Sequence, residues 1–292
     1  MPPGRIAAIA PAVFVVLWST GFVFAREGVT YADPATLLSI RFALAAALLA
    51  AIAVATRAPW PNRHDTLHAI AAGLLLQAVY AGGVFAAVDN HLAAGITALV
   101  VGIQPALSAF LAQPLLKERV TRLQWCGIAL GFAGVVLVVE RKVTFDDGAT
   151  RGLLFAVMAL LAITVGTIYQ RRYSRGTDLR TGAAWQFGVS AAAMAVAAAV
   201  FEPMHIEWTW QLSGSLAYMA VILSAGTVTG YLWLIRRLEV ARVTSYFYLV
   251  PPITALLAWP WFGETVTVGM AVGMAIAAAG VFLVQRGAAQ QR

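Results

Sequence analysis

The sequence predicts an all-α membrane protein: ten transmembrane helices, built as two inverted five-helix repeats with N- and C-termini cytoplasmic. Three observations predict it. Of 292 residues, 61% are apolar and 11% charged, against about 25% charged in an ordinary soluble domain. The charges leave ten uncharged gaps of at least 15 residues, near the roughly 20 residues a helix needs to cross bilayer hydrocarbon. The chain also repeats itself at an offset of 146 residues. This excludes a soluble enzyme and a secreted disulfide scaffold, since Cys126 is the single cysteine. A net charge of +7 does not indicate nucleic acid, because the bases sit in short clusters between apolar runs.

Helix-end logic places the spans at about 6–25, 34–56, 67–88, 93–116, 122–140, 152–170, 181–201, 213–235, 241–262 and 266–285. The first starts after Arg5 and runs to Ala25, longer than the core of a cleaved signal peptide, and is read as a true span. Pro34 suits the first turn of its helix, where a missing N–H costs nothing. The connections are short, and Trp208 and Trp210 in one of them read as interfacial anchors. Counted on alternate sides, Lys and Arg number 15 on the side holding both termini and 4 on the other, with Arg41 inside a span. The positive-inside rule then makes the first side cytoplasmic, in a plasma membrane.

The repeat fixes the architecture. Pro105 aligns with Pro251, Pro114 with Pro260, and Glu118-x-Val120-Thr121 with Glu264-x-Val266-Thr267. Residues 92–138 match their counterparts at 16 of 47 positions without a gap, where composition alone gives ~10%. The units are therefore 1–146 and 147–292. Each has five spans, an odd number, so the second enters the membrane from the opposite side, an arrangement typical of secondary transporters.

With Trp18-Ser19-Thr20-Gly21-Phe22, Arg41-Phe42, Gln104-Pro105-Ala106-Leu107, Lys117-Glu118-Arg119-Val120-Thr121, Val250-Pro251-Pro252 and Gly263-Glu264-Thr265-Val266-Thr267, the chain resembles the EamA-like drug/metabolite transporter superfamily over essentially its whole length. The resemblance implies ten spans in two inverted halves and export of amino acids or other small metabolites. Its nearest likeness there is to the YddG-type aromatic amino-acid exporters.

Polar residues within spans mark the expected pathway, because they avoid lipid. The substrate-binding candidates are Trp18 and Ser19, Gln77 and Tyr80, Gln104, Thr167, Ser224 and Thr227, and Ser245 and Tyr248. Hydroxyls and amides would meet an ammonium and a carboxylate, and the Trp and Tyr faces an apolar body; a helix–helix contact is the competing reading for any one Ser or Thr. Pro105 and Pro251 are candidate hinges, since a mid-helix proline removes a backbone hydrogen bond; a static kink is the alternative. Arg41 lies about 10 Å into its span at 1.5 Å per residue and is expected to pair with Glu264 as a gate or a structural brace, with snorkelling as the alternative. Phe187 is its counterpart in the second half, so such a gate is not mirrored.

No Asp, Glu or His lies near the middle of a span, so no proton relay of the usual kind is expected. Asp89 and His91 read as loop solvation, and His64 and His68, four apart, lack further ligands for zinc. The expectation is no cofactor, no metal and no catalytic residue. The partners are a small-molecule substrate and membrane lipid, not nucleic acid, and a monomer is plausible. The alternatives are an intramembrane lipid- or prenyl-modifying enzyme, for which Asp146-Asp147 is the only adjacent acidic pair, an exporter of unrelated drugs or cations, and a channel.

Overall fold

A computed structural model describes residues 3–92, 94–139, 149–174, 176–262 and 268–289. Glu264 and the Asp146-Asp147 pair lie outside the described residues. Within these, every regular element is helical: α1 (Pro3–Gly28), α2 (Pro34–Ala55), α3 (Arg63–Gly73), α4 (Tyr80–Asp89), α5 (Ala94–Val101), α6 (Gln104–Leu116), α7 (Arg122–Val139), α8 (Ala149–Tyr173), α9 (Leu179–Phe201), α10 (Trp210–Tyr218), α11 (Thr229–Arg237), α12 (Val240–Ser245), α13 (Val250–Phe262) and α14 (Val268–Ala289). Wider π-helical turns, Leu74–Val79 and Met219–Val228, join α3 to α4 and α10 to α11, and a 3₁₀ turn, Tyr246–Leu249, joins α12 to α13.

Among the described residues, seven helical runs are long and apolar enough to cross a membrane: Pro34–Ala55, Arg63–Asp89, Ile96–Leu116, Thr150–Tyr173, Leu179–Phe201, Trp210–Arg237 and Val268–Ala289. The chain is a multi-pass membrane protein. At the other expected positions lie α1, α7 and the broken α12–α13 run. Each described element before residue 140 has a counterpart starting 145–149 residues later: α1 and α8, α2 and α9, α3 and α10, α4 and α11, α5 and α12, α6 and α13, α7 and α14, and the two π-helical turns.

Two counterpart pairs make the most extensive helix–helix contacts, α7 with α14 and α2 with α9. The first is a glycine seam. A Cβ on Gly127 would lie 2.6 Å from the carbonyl oxygen of Gly280, and Gly134 abuts Gly273 and Ala277 just as closely. Since Gly273 and Gly280 are the counterparts of Gly127 and Gly134, the contact is reciprocal and antiparallel, the form an isologous interface takes. Small residues let backbones approach where lipid supplies no hydrophobic drive between helices. Gly127→Ala should cost about 2 kcal/mol, read as a lower thermal midpoint in detergent; an unchanged midpoint contradicts the main-chain contact.

The α2–α9 pair is tied at both ends. At one, the Glu202 carboxylate accepts from Ala35 N at 2.7 Å and from Thr36 N and Oγ1 at 2.9 Å, placing an anion at the start of α2, where free N–H groups favour it. Asp33 Oδ2 accepts from His205 N at 2.7 Å, and Glu207 N donates to Tyr31 O at 2.7 Å. At the other, Arg180 Nη1 donates to Thr56 Oγ1 at 2.7 Å and Thr181 Oγ1 to Pro59 O at 2.9 Å. The Arg180 guanidinium also holds the Asp178 carboxyl below the usual carboxylate range.

That second, arginine-rich end is tied further. Val240 N donates to Glu118 Oε2 at 2.8 Å, Arg171 Nε lies 3.5 Å from Glu118 Oε1, and Arg171 Nη1 donates to Ile235 O at 2.6 Å. Arg236 donates to the Thr177 carbonyl. Glu118 thereby joins the α6–α7 connection to α8 and to the first turn of α12.

Candidate functional site

Between α1, α2, α4 and the Met219–Val228 turn lies a cavity of about 60 Å³, lined by Trp18, Arg41, Gln77, Tyr80 and Thr227 among apolar side chains such as Phe22 and Phe85. It has room for a few waters, well short of the ~300 Å³ at which small-molecule pockets begin. The π-helical turns build it. Gln77 belongs to the first, Ser224 and Thr227 to the second, and Tyr80 opens the helix after the first. One extra residue per turn re-aims the side chains that follow and loosens the backbone ladder, which is why such turns recur at functional sites. Thr227 Oγ1 donates to the Ile222 carbonyl, five residues back, at 2.9 Å.

Two rings of the lining, Trp18 and Tyr80, belong to a larger aromatic cluster. Trp18 meets Phe14 at 5.2 Å, Tyr231 at 5.3 Å, Phe247 at 5.1 Å and Tyr80 at 6.2 Å between centroids. Phe14, Tyr231 and Phe247 also meet one another at 5.5–5.6 Å. Beyond this cluster is a second polar layer. The Tyr231 hydroxyl is 2.7 Å from Thr167 Oγ1 and faces Gln104. Among the described residues no hydrogen-bond partner meets either amide atom of Gln104 or the Ser108 hydroxyl, all buried, an uncommon cost for a folded chain.

The sequence-chosen residues therefore divide. Trp18, Gln77, Tyr80 and Thr227 share the cavity, and Ser224 stands at its edge through Arg41. Thr167 and Gln104 belong to the layer beyond Tyr231. Ser19 Oγ binds the carbonyls of Val15 at 2.7 Å and Val250 at 3.3 Å, joining α1 to the start of α13. Ser245 Oγ donates to Arg242 O at 2.9 Å and accepts from Gln285 at 3.2 Å, while the Tyr248 ring packs on Gly131 of α7. This pair is turned towards α7 and α14, away from the cavity. Pro105 and Pro251 are the second residues of α6 and α13. The helix changes course just before each, at Gly102–Ile103 and at Tyr246–Leu249, and the proline opens the next segment, where its absent N–H is least missed.

Arg41 is buried, lines the cavity and donates from Nε to Ser224 Oγ at 2.9 Å. Its expected partner, Glu264, is outside the described residues. Sequence reasoning did not single out Phe14 and Phe247; the spacing Phe14, Trp18, Phe22, one aromatic per turn of α1, is the signal that points to the ring cluster. His64 and His68 do meet, 3.3 Å apart, with His68 Nδ1 at 2.6 Å from the Tyr169 hydroxyl, but among the described residues no group of three potential metal ligands gathers.

A many-span helical chain with broken helices around a small polar and aromatic cavity has the build of a membrane transporter. The chain belongs to the EamA-like transporter family, whose model matches it twice, over residues 4–140 and 150–286. It is 28% identical over 254 residues to the uncharacterized inner membrane transporter YedA of Escherichia coli K12, covering 86% of this chain and 81% of YedA. It is 26% identical to the Salmonella typhimurium protein named "Probable amino-acid metabolite efflux pump" (92% and 91% covered) and 27% identical to the "Probable terminal-alkyne amino-acid exporter" of Streptantibioticus cattleyicolor (93% and 91%). A solved crystal structure at 20% identity shares the fold, with a TM-score of 0.80 over 97% of this chain and 98% of the other. These names are those of transporters rather than enzymes.

Proposed function

We propose that the chain is a secondary transporter that moves small metabolites, amino acids foremost, out of the cell by alternating access. Its ten spans form two inverted halves, 1–146 and 147–292, with both termini and the arginine-rich end in the cytoplasm. The observation that carries this reading is the cavity itself, where Arg41, Gln77 and Thr227 stand beside Trp18 and Tyr80 at paired breaks in the helices. Its 60 Å³ is too small for an amino acid, so the substrate enters only when the bundle parts. The breaks before Pro105 and Pro251 serve as hinges, the ring cluster under Trp18 closes the cytoplasmic side, and Gln104 and Thr167 lie on the route beyond it. Two relatives named as amino-acid exporters support the substrate class.

The test is counterflow. Purified protein in liposomes preloaded with unlabelled phenylalanine is expected to accumulate labelled phenylalanine transiently, with no chemical change in the label. Absence of counterflow across a panel of neutral amino acids overturns the substrate class. A modified product in the lumen identifies an enzyme instead, and uptake without exchange a channel.

A further inference from the structure

Arg41 is the eighth residue of α2 and an intramembrane charge, which is costly unless partnered. Among the described residues, two contacts hold its head. Nε donates to Ser224 Oγ at 2.9 Å, and the guanidinium carbon lies 5.5 Å from the centroid of the Phe42 ring. Among the described residues no carboxylate pairs with it, and no Asp or Glu lines the cavity. The hydrogen bond to Ser224 uses Nε alone, so the two terminal nitrogens of the fork remain for whatever occupies the cavity. A guanidinium held at one edge with the other edge open suits two-point recognition of a carboxylate. Among the described residues, nothing of opposite sign lines the cavity to receive an ammonium.

We propose that the cavity recognises its substrate by the carboxylate, docked on Arg41, and that the amino group is dispensable. The substrate class is then small monocarboxylates with an apolar or aromatic body, so that 2-amino, 2-hydroxy and 2-oxo acids are all accepted while the matching amines are refused. Gln77 lies within the same lining to meet a substituent at C2, and the Trp18 and Tyr80 rings receive the body. Ser224 is a positioning residue that turns the open edge of the guanidinium into the cavity. An acid lacking the amine carries net negative charge, and an inside-negative membrane potential favours its exit without a coupled ion, which fits a cavity with no acid or histidine among the described residues that line it.

This rests on the transporter reading for the role of the site, and binding and transport are therefore measured separately. Binding is read from the thermal midpoint of detergent-purified protein titrated with phenylalanine, phenyllactate, 3-phenylpropionate and phenethylamine, since a ligand that binds only the folded state raises it. The three acids are expected to raise the midpoint and the amine to leave it in place. Arg41→Gln should weaken every acid at least about 30-fold. Arg41→Lys, which keeps the charge and loses the fork, should fall between, and Ser224→Ala should weaken the acids less than Arg41→Gln does. Stabilisation by phenethylamine equal to that by the acids, or no shift with any acid, overturns the proposal on the unmutated protein alone. Acid binding unchanged in Arg41→Gln overturns it too. Shifts with the acids but no counterflow in vesicles leave carboxylate recognition standing and remove the transporter reading. Counterflow of phenylalanine inhibited by phenethylamine and not by 3-phenylpropionate does the reverse.

Discussion

Trp18→Ala is expected to weaken phenylalanine exchange at least about 30-fold, the scale on which a well-packed aromatic anchor acts. Trp18 both lines the cavity and touches Phe14, Tyr80, Tyr231 and Phe247. Its removal takes away a face for the substrate and opens a void beneath it. A void of that size also costs about 3–5 kcal/mol in a packed core, so Trp18→Phe serves as the companion variant, retaining a ring while losing the indole's extra reach. Exchange should fall with Ala and survive in part with Phe, as measured by initial counterflow rates at equal amounts of folded protein. Equal rates for the parent and the alanine variant contradict a substrate role for the cluster.

The second large effect concerns Glu118. Its side chain and that of Arg171 are 12% and 13% exposed, so the pair is substantially desolvated. Breaking a buried pair by removing one partner is worse than replacing both, because a lone charge is left behind. Glu118→Ala should therefore lower stability by about 3 kcal/mol, and the double replacement Glu118→Met with Arg171→Met should recover more than half of that. Glu118 also accepts from Val240 N at 2.8 Å, so Glu118→Gln, which retains an acceptor, should be milder than alanine. The check is a double-mutant cycle on thermal midpoints; additive effects of the two single changes refute coupling through this pair.

Much of the fold was legible because bilayer thickness imposes a length on each apolar run. The expected spans 34–56 and 181–201 fall within two residues of Pro34–Ala55 and Leu179–Phe201. The π-helical turns were not legible, since Leu74–Val79 and Met219–Val228 look in composition like any apolar helix. Within the candidate site, periodicity puts residues three apart, such as Ser245 and Tyr248 or Gln77 and Tyr80, on one helix face. It says which side chains travel together and nothing of which neighbour they meet. One pair turns to α7 and α14, and the other to the cavity. For Arg41 the charge and depth were readable, while its neighbour Ser224, 183 residues away in sequence, depends on packing of distant helices.

The reciprocal contact of α7 with α14 binds the evolutionary drift of the two copies together. A methyl group gained at Gly127 lands on the backbone at Gly280, where no rotamer can yield to it, and the same holds with the copies exchanged at Gly134 and Gly273. Divergence between the copies is thus channelled to positions off this line, such as Arg41 against Phe187. Chemical asymmetry can accumulate around the cavity while the joint between the copies stays symmetric.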